Sequence, residues 1–192
     1  GTYEGAKACV AAGFTSIMYD GSHEETFQLN LDRTKELVEL AHSKGISIEA
    51  EVGGIGGTED GMTAKANLVN VDDARCFLEE VTVEALAIGI GNAHGIYKST
   101  PNLAFDRLEQ VAALGGPALV LHGGSGIPDD MIRKAIVMGI RKINVATEVR
   151  LAFLEGFGLE VNSKDIYKAY QSAQAHARKI ISDKMSLFDT TK

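Results

Sequence analysis

Five short apolar runs, separated by stretches of helical periodicity, confine this chain to a parallel α/β architecture. They fall at residues 15–19, 46–51, 85–90, 118–121 and 142–145. The first follows a short helix that opens near Tyr3 and carries Ala6, Cys9 and Val10. After it, Phe27, Leu31, Leu37, Val38 and Ala41 form one helical side closed by Gly45, with Ser22 and Glu25 placed for a capping box. Asn70 predicts the cap of a helix over 71–80, and further helices are expected over 106–114, over 128–138 behind Pro128, and from Thr147 to about Phe157. Asn162 with Asp165 predicts the cap of a long final helix through Ala169, Ala173, Ala177, Ile180 and Ile181. Such a parallel sheet should be covered on both faces. Either an open five-strand sheet or a (β/α)8 barrel lacking about three units fits this arithmetic.

At 192 residues the chain is long enough for one domain with a real core. Its formal net charge of −7 argues against a broad nucleic-acid footprint, and no apolar run approaches membrane-spanning length. Cys9 and Cys76 lie in helical apolar patterns, where a reduced, buried thiol is expected and a metal or redox pair is not. With no signal-like opening, a cytoplasmic protein is expected.

Glycine supplies 21 residues, above the usual ~7%. The glycines cluster at Gly53-Gly54-Ile55-Gly56-Gly57, from Gly89 to Gly95, at Gly115-Gly116 and at Gly123-Gly124-Ser125-Gly126, mostly just after apolar runs. A long glycine-rich and polar loop is expected after Glu51, running to Asn70. Parallel α/β folds build their chemistry at strand ends. There stand His94 in Asn92-Ala93-His94-Gly95 and His122 in Leu121-His122-Gly123, in a loop region that also holds Tyr97 and Lys98. Two imidazoles in such settings suit zinc, yet a catalytic zinc usually takes three protein ligands. The third would be Asp20, Glu51, His23 or a group outside the chain. Asp20, Glu51 and the Glu59-Asp60 pair also follow strands, where they serve either as caps and turns or as rim carboxylates. Gly123-Gly124-Ser125-Gly126 and the helix start at Ala146-Thr147 offer free N–H groups to a phosphate. Neither a Walker A sequence nor a dinucleotide fingerprint is present in this segment.

Taken in order, the segments Tyr19-Asp20-Gly21-Ser22-His23, Glu49-Ala50-Glu51-Val52-Gly53, Gly56-Gly57-Thr58-Glu59-Asp60-Gly61, Asn92-Ala93-His94-Gly95, Leu121-His122-Gly123-Gly124-Ser125-Gly126 and Lys142-Ile143-Asn144-Val145-Ala146-Thr147-Glu148 resemble the class II, zinc-dependent ketose-bisphosphate aldolases, closest to the fructose- and tagatose-bisphosphate branch. The resemblance covers nearly the whole chain. It implies an α/β (β/α)8 TIM barrel in a homodimer or homotetramer. The implied activity is the reversible cleavage of a ketose 1,6-bisphosphate to dihydroxyacetone phosphate and glyceraldehyde 3-phosphate.

The resemblance further implies that His94 and His122 bind zinc, that Glu51 binds metal in an alternative position, and that Asp20 lies beside that position. Glu59 is implied in proton transfer from a flexible loop, and Asn144 in holding substrate. Gly95, Lys98, Gly123, Gly124, Ser125, Ala146 and Thr147 match the surroundings of phosphate and of a monovalent cation, Na+ or K+. The family's Asp-His pair, which brings the base and a third zinc ligand, has no counterpart here. The chain is therefore expected to form one domain over 1–192 that supplies about the last five barrel strands, with the first strands and their segment as a missing partner. No nucleic-acid or membrane partner is expected. A sugar-phosphate isomerase or epimerase on the same barrel plan, and a non-catalytic phosphate-binding remnant, remain the alternatives.

Overall fold

The computed structural model describes residues 1–59, 62–64 and 67–189. Strands and helices alternate. Helix α1 (Tyr3–Ala11) leads to β1 (Ser16–Tyr19), α2 (Phe27–His42), β2 (Ser47–Val52) and the short β3 (Gly56–Glu59) and β4 (Met62–Ala64). Then come α3 (Val71–Glu80), β5 (Ala85–Ile88), β6 (Ala93–His94), α4 (Phe105–Ala112), β7 (Ala118–Leu121), α5 (Asp129–Val137), β8 (Ile140–Ile143), α6 (Thr147–Glu160) and α7 (Ile166–Phe188).

The main sheet runs β1-β2-β5-β7-β8, every pair parallel. Its spatial order follows chain order without reversal. A doubly wound sheet reverses at a switch point, whereas right-handed connections that always advance the same way put every helix on one face and curl the sheet into a barrel. Of the two architectures that the strand arithmetic allows, the strand order therefore selects the barrel that the family resemblance implies. β1 and β8 stand at opposite edges and do not pair with each other, so the barrel is open between them.

Strand alternation separates the two faces of the sheet. Ile17, Tyr19, Ile48, Ala50, Val52, Leu86, Ile88, Leu119 and Leu121 belong to one buried apolar cluster together with helix residues such as Leu31, Leu37, Phe77, Leu108 and Ile132. Fully burying a side chain of this size contributes ~1.5–3 kcal/mol, so this outer layer is the main source of cohesion. The other face carries Met18, Glu49, Glu51, Ala87, Val120 and Lys142, paired as Met18↔Glu49, Glu51↔Ala87, Ala87↔Val120 and Val120↔Lys142. This second face is a concave wall bearing charge, and Glu49, Glu51, Ala87 and Val120 are buried on it, so both faces of the sheet are largely covered, as expected.

Local departures from the predicted elements have local causes. The cap of α2 is Thr26, whose hydroxyl accepts the Leu29 N–H at 3.1 Å, instead of the Ser22–Glu25 box. Ser22 is drawn away by Asp20, which accepts its N–H and its hydroxyl in a short 3₁₀ turn. The expected loop after β2 folds partly into a β3–β4 hairpin, and β3 also pairs in parallel with β6. The last strand ends at Ile143, two residues before the expected Val145, and Asp165 caps α7 while Asn162 stays in the preceding turn. Cys9 and Cys76 are half-buried free thiols. Among the described residues no helix is long and apolar enough to cross a membrane.

Candidate functional site

The site is assembled at the carboxyl ends of β2, β7 and β8. His122 directly follows β7, and its main chain is held by Asn92, a buried side chain that donates to the His122 carbonyl at 2.9 Å and accepts the Ile90 N–H at 2.9 Å. His94 lies in β6, paired with Gly57 of β3. Tyr97 ties the two histidine segments together, its hydroxyl accepting from the Ala93 N–H at 2.8 Å and donating to the Gly123 carbonyl at 3.0 Å. The close approach depends on Gly123. Its φ of +64° is left-handed, and a Cβ there would fall 2.1 Å from the Ala93 carbonyl oxygen.

Held in this way, the rings of His94 and His122 face each other edge to plane, with centroids 5.6 Å apart. Behind His122 stands Glu49 of β2, whose Oε1 lies 2.8 Å from Nε2, both side chains less than a tenth exposed. The other oxygen of Glu49 receives Lys142 of β8. Burial alone would raise the Glu49 carboxyl. Bonds from His122 and Lys142 more than offset that effect and hold it below the ordinary glutamate range. On the opposite side of the imidazole, Asn144 Nδ2 is 3.4 Å from Nδ1.

Glu51, two residues on and on the same face, is also buried. Burial pushes its carboxyl up to about 8, the charge of Asp20 adds to that, and bonds from the Ser22 hydroxyl and the Ile55 N–H pull the other way. Asp20 itself binds Ser22 and lies 3.1 Å from His23.

On the third side, Ser125 is buried and its hydroxyl accepts the Glu148 N–H at 3.3 Å, while the Glu148 carboxylate accepts the Gly126 N–H and pairs with Lys184 of α7 at 3.0 Å. The Gly124 N–H donates to the Asn144 carbonyl at 2.9 Å. The glycine turn after β7 and the first turn of α6, with Ala146 at its cap and Thr147 next, therefore abut. Lys98 is exposed in the loop after Gly95, and among the described residues no hydrogen bond or ion pair joins it to Ser125 or Thr147. The backbone of Glu59 closes β3, but its side chain, like all of Asp60, lies outside the described residues. His42 pairs with Glu84 at 3.2 Å and His176 bonds the Ser172 carbonyl, both away from the site.

Two members of this site, Glu49 and Lys142, were not singled out in the sequence. The available signal was the alternation Ile48-Glu49-Ala50-Glu51, which puts both glutamates on one face. Zinc accepts two imidazoles of this kind, one of them with a carboxylate behind its second nitrogen, and then needs a third protein ligand. Among the described residues no group of three or more His, Cys, Asp or Glu is arranged to hold a metal ion.

The family described as "Fructose-bisphosphate aldolase class-II" matches residues 1–192. A fructose-bisphosphate aldolase of Streptococcus pyogenes serotype M1 is 44% identical over 194 residues, covering 100% of this chain and 62% of that protein. Of solved structures, a candidate fructose-1,6-bisphosphate aldolase from Coccidioides immitis superposes with a TM-score of 0.90 at 28% identity, covering 99% of this chain and 69% of the other. The YdjI aldolase of Escherichia coli K12 gives 0.84 at 29% identity, covering 99% and 66%. The chain thus spans less than two thirds of the length of the curated Streptococcus relative.

Proposed function

This chain belongs to the class II fructose-bisphosphate aldolase family, and from that premise we propose that the whole protein reversibly cleaves a ketose 1,6-bisphosphate, of fructose or tagatose, into dihydroxyacetone phosphate and glyceraldehyde 3-phosphate. The observation that carries the reading is the facing pair His94 and His122, 5.6 Å apart, with Glu49 behind one ring. Both are zinc ligands in this reading, and the third protein ligand comes from outside the described residues. When bound, zinc supplies a Lewis acid that polarises the substrate carbonyl and stabilises the negative charge developing there as the carbon–carbon bond breaks.

The rest is done by the chain's own groups. Asn144, already beside His122, turns its amide N–H to a substrate oxygen and orients the reacting carbons. Gly123, Gly124, Ser125, Ala146 and Thr147 surround one substrate phosphate, which takes hydroxyls and backbone N–H groups of this turn other than the Gly124 N–H, already given to Asn144, with Gly95 and a monovalent cation completing the surroundings. Lys98 contributes charge from its exposed loop. Glu51 and Asp20 offer a second, carboxylate-rich position for the metal, and Glu59 moves the proton. The assembly is a homodimer or homotetramer.

The test is product analysis by the full-length protein on fructose 1,6-bisphosphate and tagatose 1,6-bisphosphate. A triose phosphate pair, lost on chelation and restored by zinc, is expected. A rearranged, intact sugar would make the protein an isomerase, and binding without turnover a phosphate-binding protein.

A further inference from the structure

We propose that Glu49 is a positioning residue for His122: by accepting the Nε2–H it fixes the ring in the tautomer whose Nδ1 carries the lone pair, and so presents that nitrogen to a divalent metal ion. The metal half of this inference rests on the zinc reading above; the tautomer half stands on hydrogen bonding alone.

An ionised carboxylate only accepts, so the ring nitrogen 2.8 Å from Glu49 Oε1 must carry the hydrogen. A neutral imidazole then has its lone pair on Nδ1. The opposite side of the ring agrees independently: the group next to Nδ1 is the Asn144 amide nitrogen at 3.4 Å, which only donates. Glu49 cannot easily turn away, because Lys142 holds its second oxygen and both Glu49 and His122 are buried. Nor can the imidazole shift along the chain, since Asn92 pins the His122 carbonyl.

Glu51 does not duplicate this work although it shares the face. Its contacts are Ser22, the Ile55 N–H and the charge of Asp20. The two glutamates of β2 thus divide their tasks, one orienting an imidazole and the other facing the carboxylate corner. A hydrogen-bonded carboxylate of this kind sets ligand orientation and basicity, and its removal typically costs ~10–100-fold in metal affinity.

The first measurement needs no substitution. Nitrogen-15 shifts of His122 in the metal-free full-length protein should show a protonated Nε2 and an unprotonated Nδ1; the reverse pattern overturns the inference. Zinc affinity by competition with a chelating dye comes second. Glu49→Ala, which removes the acceptor, should weaken zinc by ~10–100-fold and release the tautomer, while Glu49→Asp recovers part of both. Wild-type zinc affinity and an unchanged His122 tautomer in Glu49→Ala would overturn the proposal. Wild-type protein that takes up no zinc overturns the functional reading and the metal half with it, whereas the shifts of His122 still decide whether Glu49 sets the ring. If the Glu49 variants do not fold, the wild-type tautomer remains decisive.

Discussion

The Tyr97 hydroxyl donates to the Gly123 carbonyl at 3.0 Å and thereby fastens the segment bearing His94 to the turn bearing His122. Because the same oxygen accepts the Ala93 N–H, one atom fixes the spacing of two imidazoles that belong to different βα units. Replacing Tyr97 with Phe leaves a part-buried N–H and a carbonyl without their partner. The variant should lose ~1–3 kcal/mol in urea unfolding and bind zinc more weakly, with both histidines intact. Unchanged stability and unchanged metal uptake would remove Tyr97 from the assembly of the site.

Gly123 is the complementary case, where the backbone itself makes the contact. An alanine there must adopt φ near +64° and press its Cβ against the Ala93 carbonyl. Gly123→Ala should therefore destabilise the protein by at least ~1–3 kcal/mol and displace His122. Alanine substitution at Gly45, where a Cβ would meet nothing within 4 Å, provides the control, since it carries only the cost of its positive φ.

Acid should unfold the protein partly through Glu24. Its carboxylate receives the Tyr19 hydroxyl at 2.7 Å and the Arg33 guanidinium at 2.6 Å, and these bonds, Tyr19 first, hold its carboxyl below the ordinary glutamate value. A carboxyl whose folded pKa is depressed contributes stability that is fully present above its unfolded pKa, about 4.3, and is lost as pH falls from there through the lower folded value. Glu24→Gln should reduce stability at pH 7 and flatten the decline below pH ~4.5, as read by urea midpoints across that range. Parallel pH profiles for wild type and variant would contradict the assignment.

The roles proposed for Glu59 and the histidines separate in a metal assay. His94→Ala and His122→Ala in the full-length protein should lose zinc and turnover together. Glu59→Ala should keep the wild-type zinc content while turnover falls by ~100-fold or more, the usual worth of a proton-transfer group. Normal turnover in Glu59→Ala would exclude it from the chemistry, and loss of zinc would make it a ligand.

Much of this molecule was legible residue by residue. The apolar runs became β1, β2, β5, β7 and β8, and the periodic stretches between them became helices, because burial of alternating or 3.6-periodic side chains is decided within a few residues of chain. The ends of elements were less legible. Ser22 was expected at a helix cap, but the choice between Ser22 and Thr26 turned on Asp20 competing for the Ser22 N–H. The β3–β4 hairpin was hidden for a similar reason. Its residues carry no apolar pattern of their own, and β3 is also secured from outside by pairing with β6.

By itself, then, the sequence determined the order of strands and helices, the positions of His94, His122, Asn144 and the glycine turns at strand ends, and, by the two-residue repeat of β2, that Glu49 and Glu51 share a face. The unreversed strand order bears out the barrel that the family resemblance implied, whereas only the tertiary structure decided that the two histidine rings meet at 5.6 Å, and that Glu49 is the carboxylate behind His122 with Lys142 on its other oxygen. The reason is physical. Spacing along a strand sets the side on which a residue points, whereas the partner it meets across a concave sheet depends on the register and curvature of strands 73 and 93 residues apart in the chain.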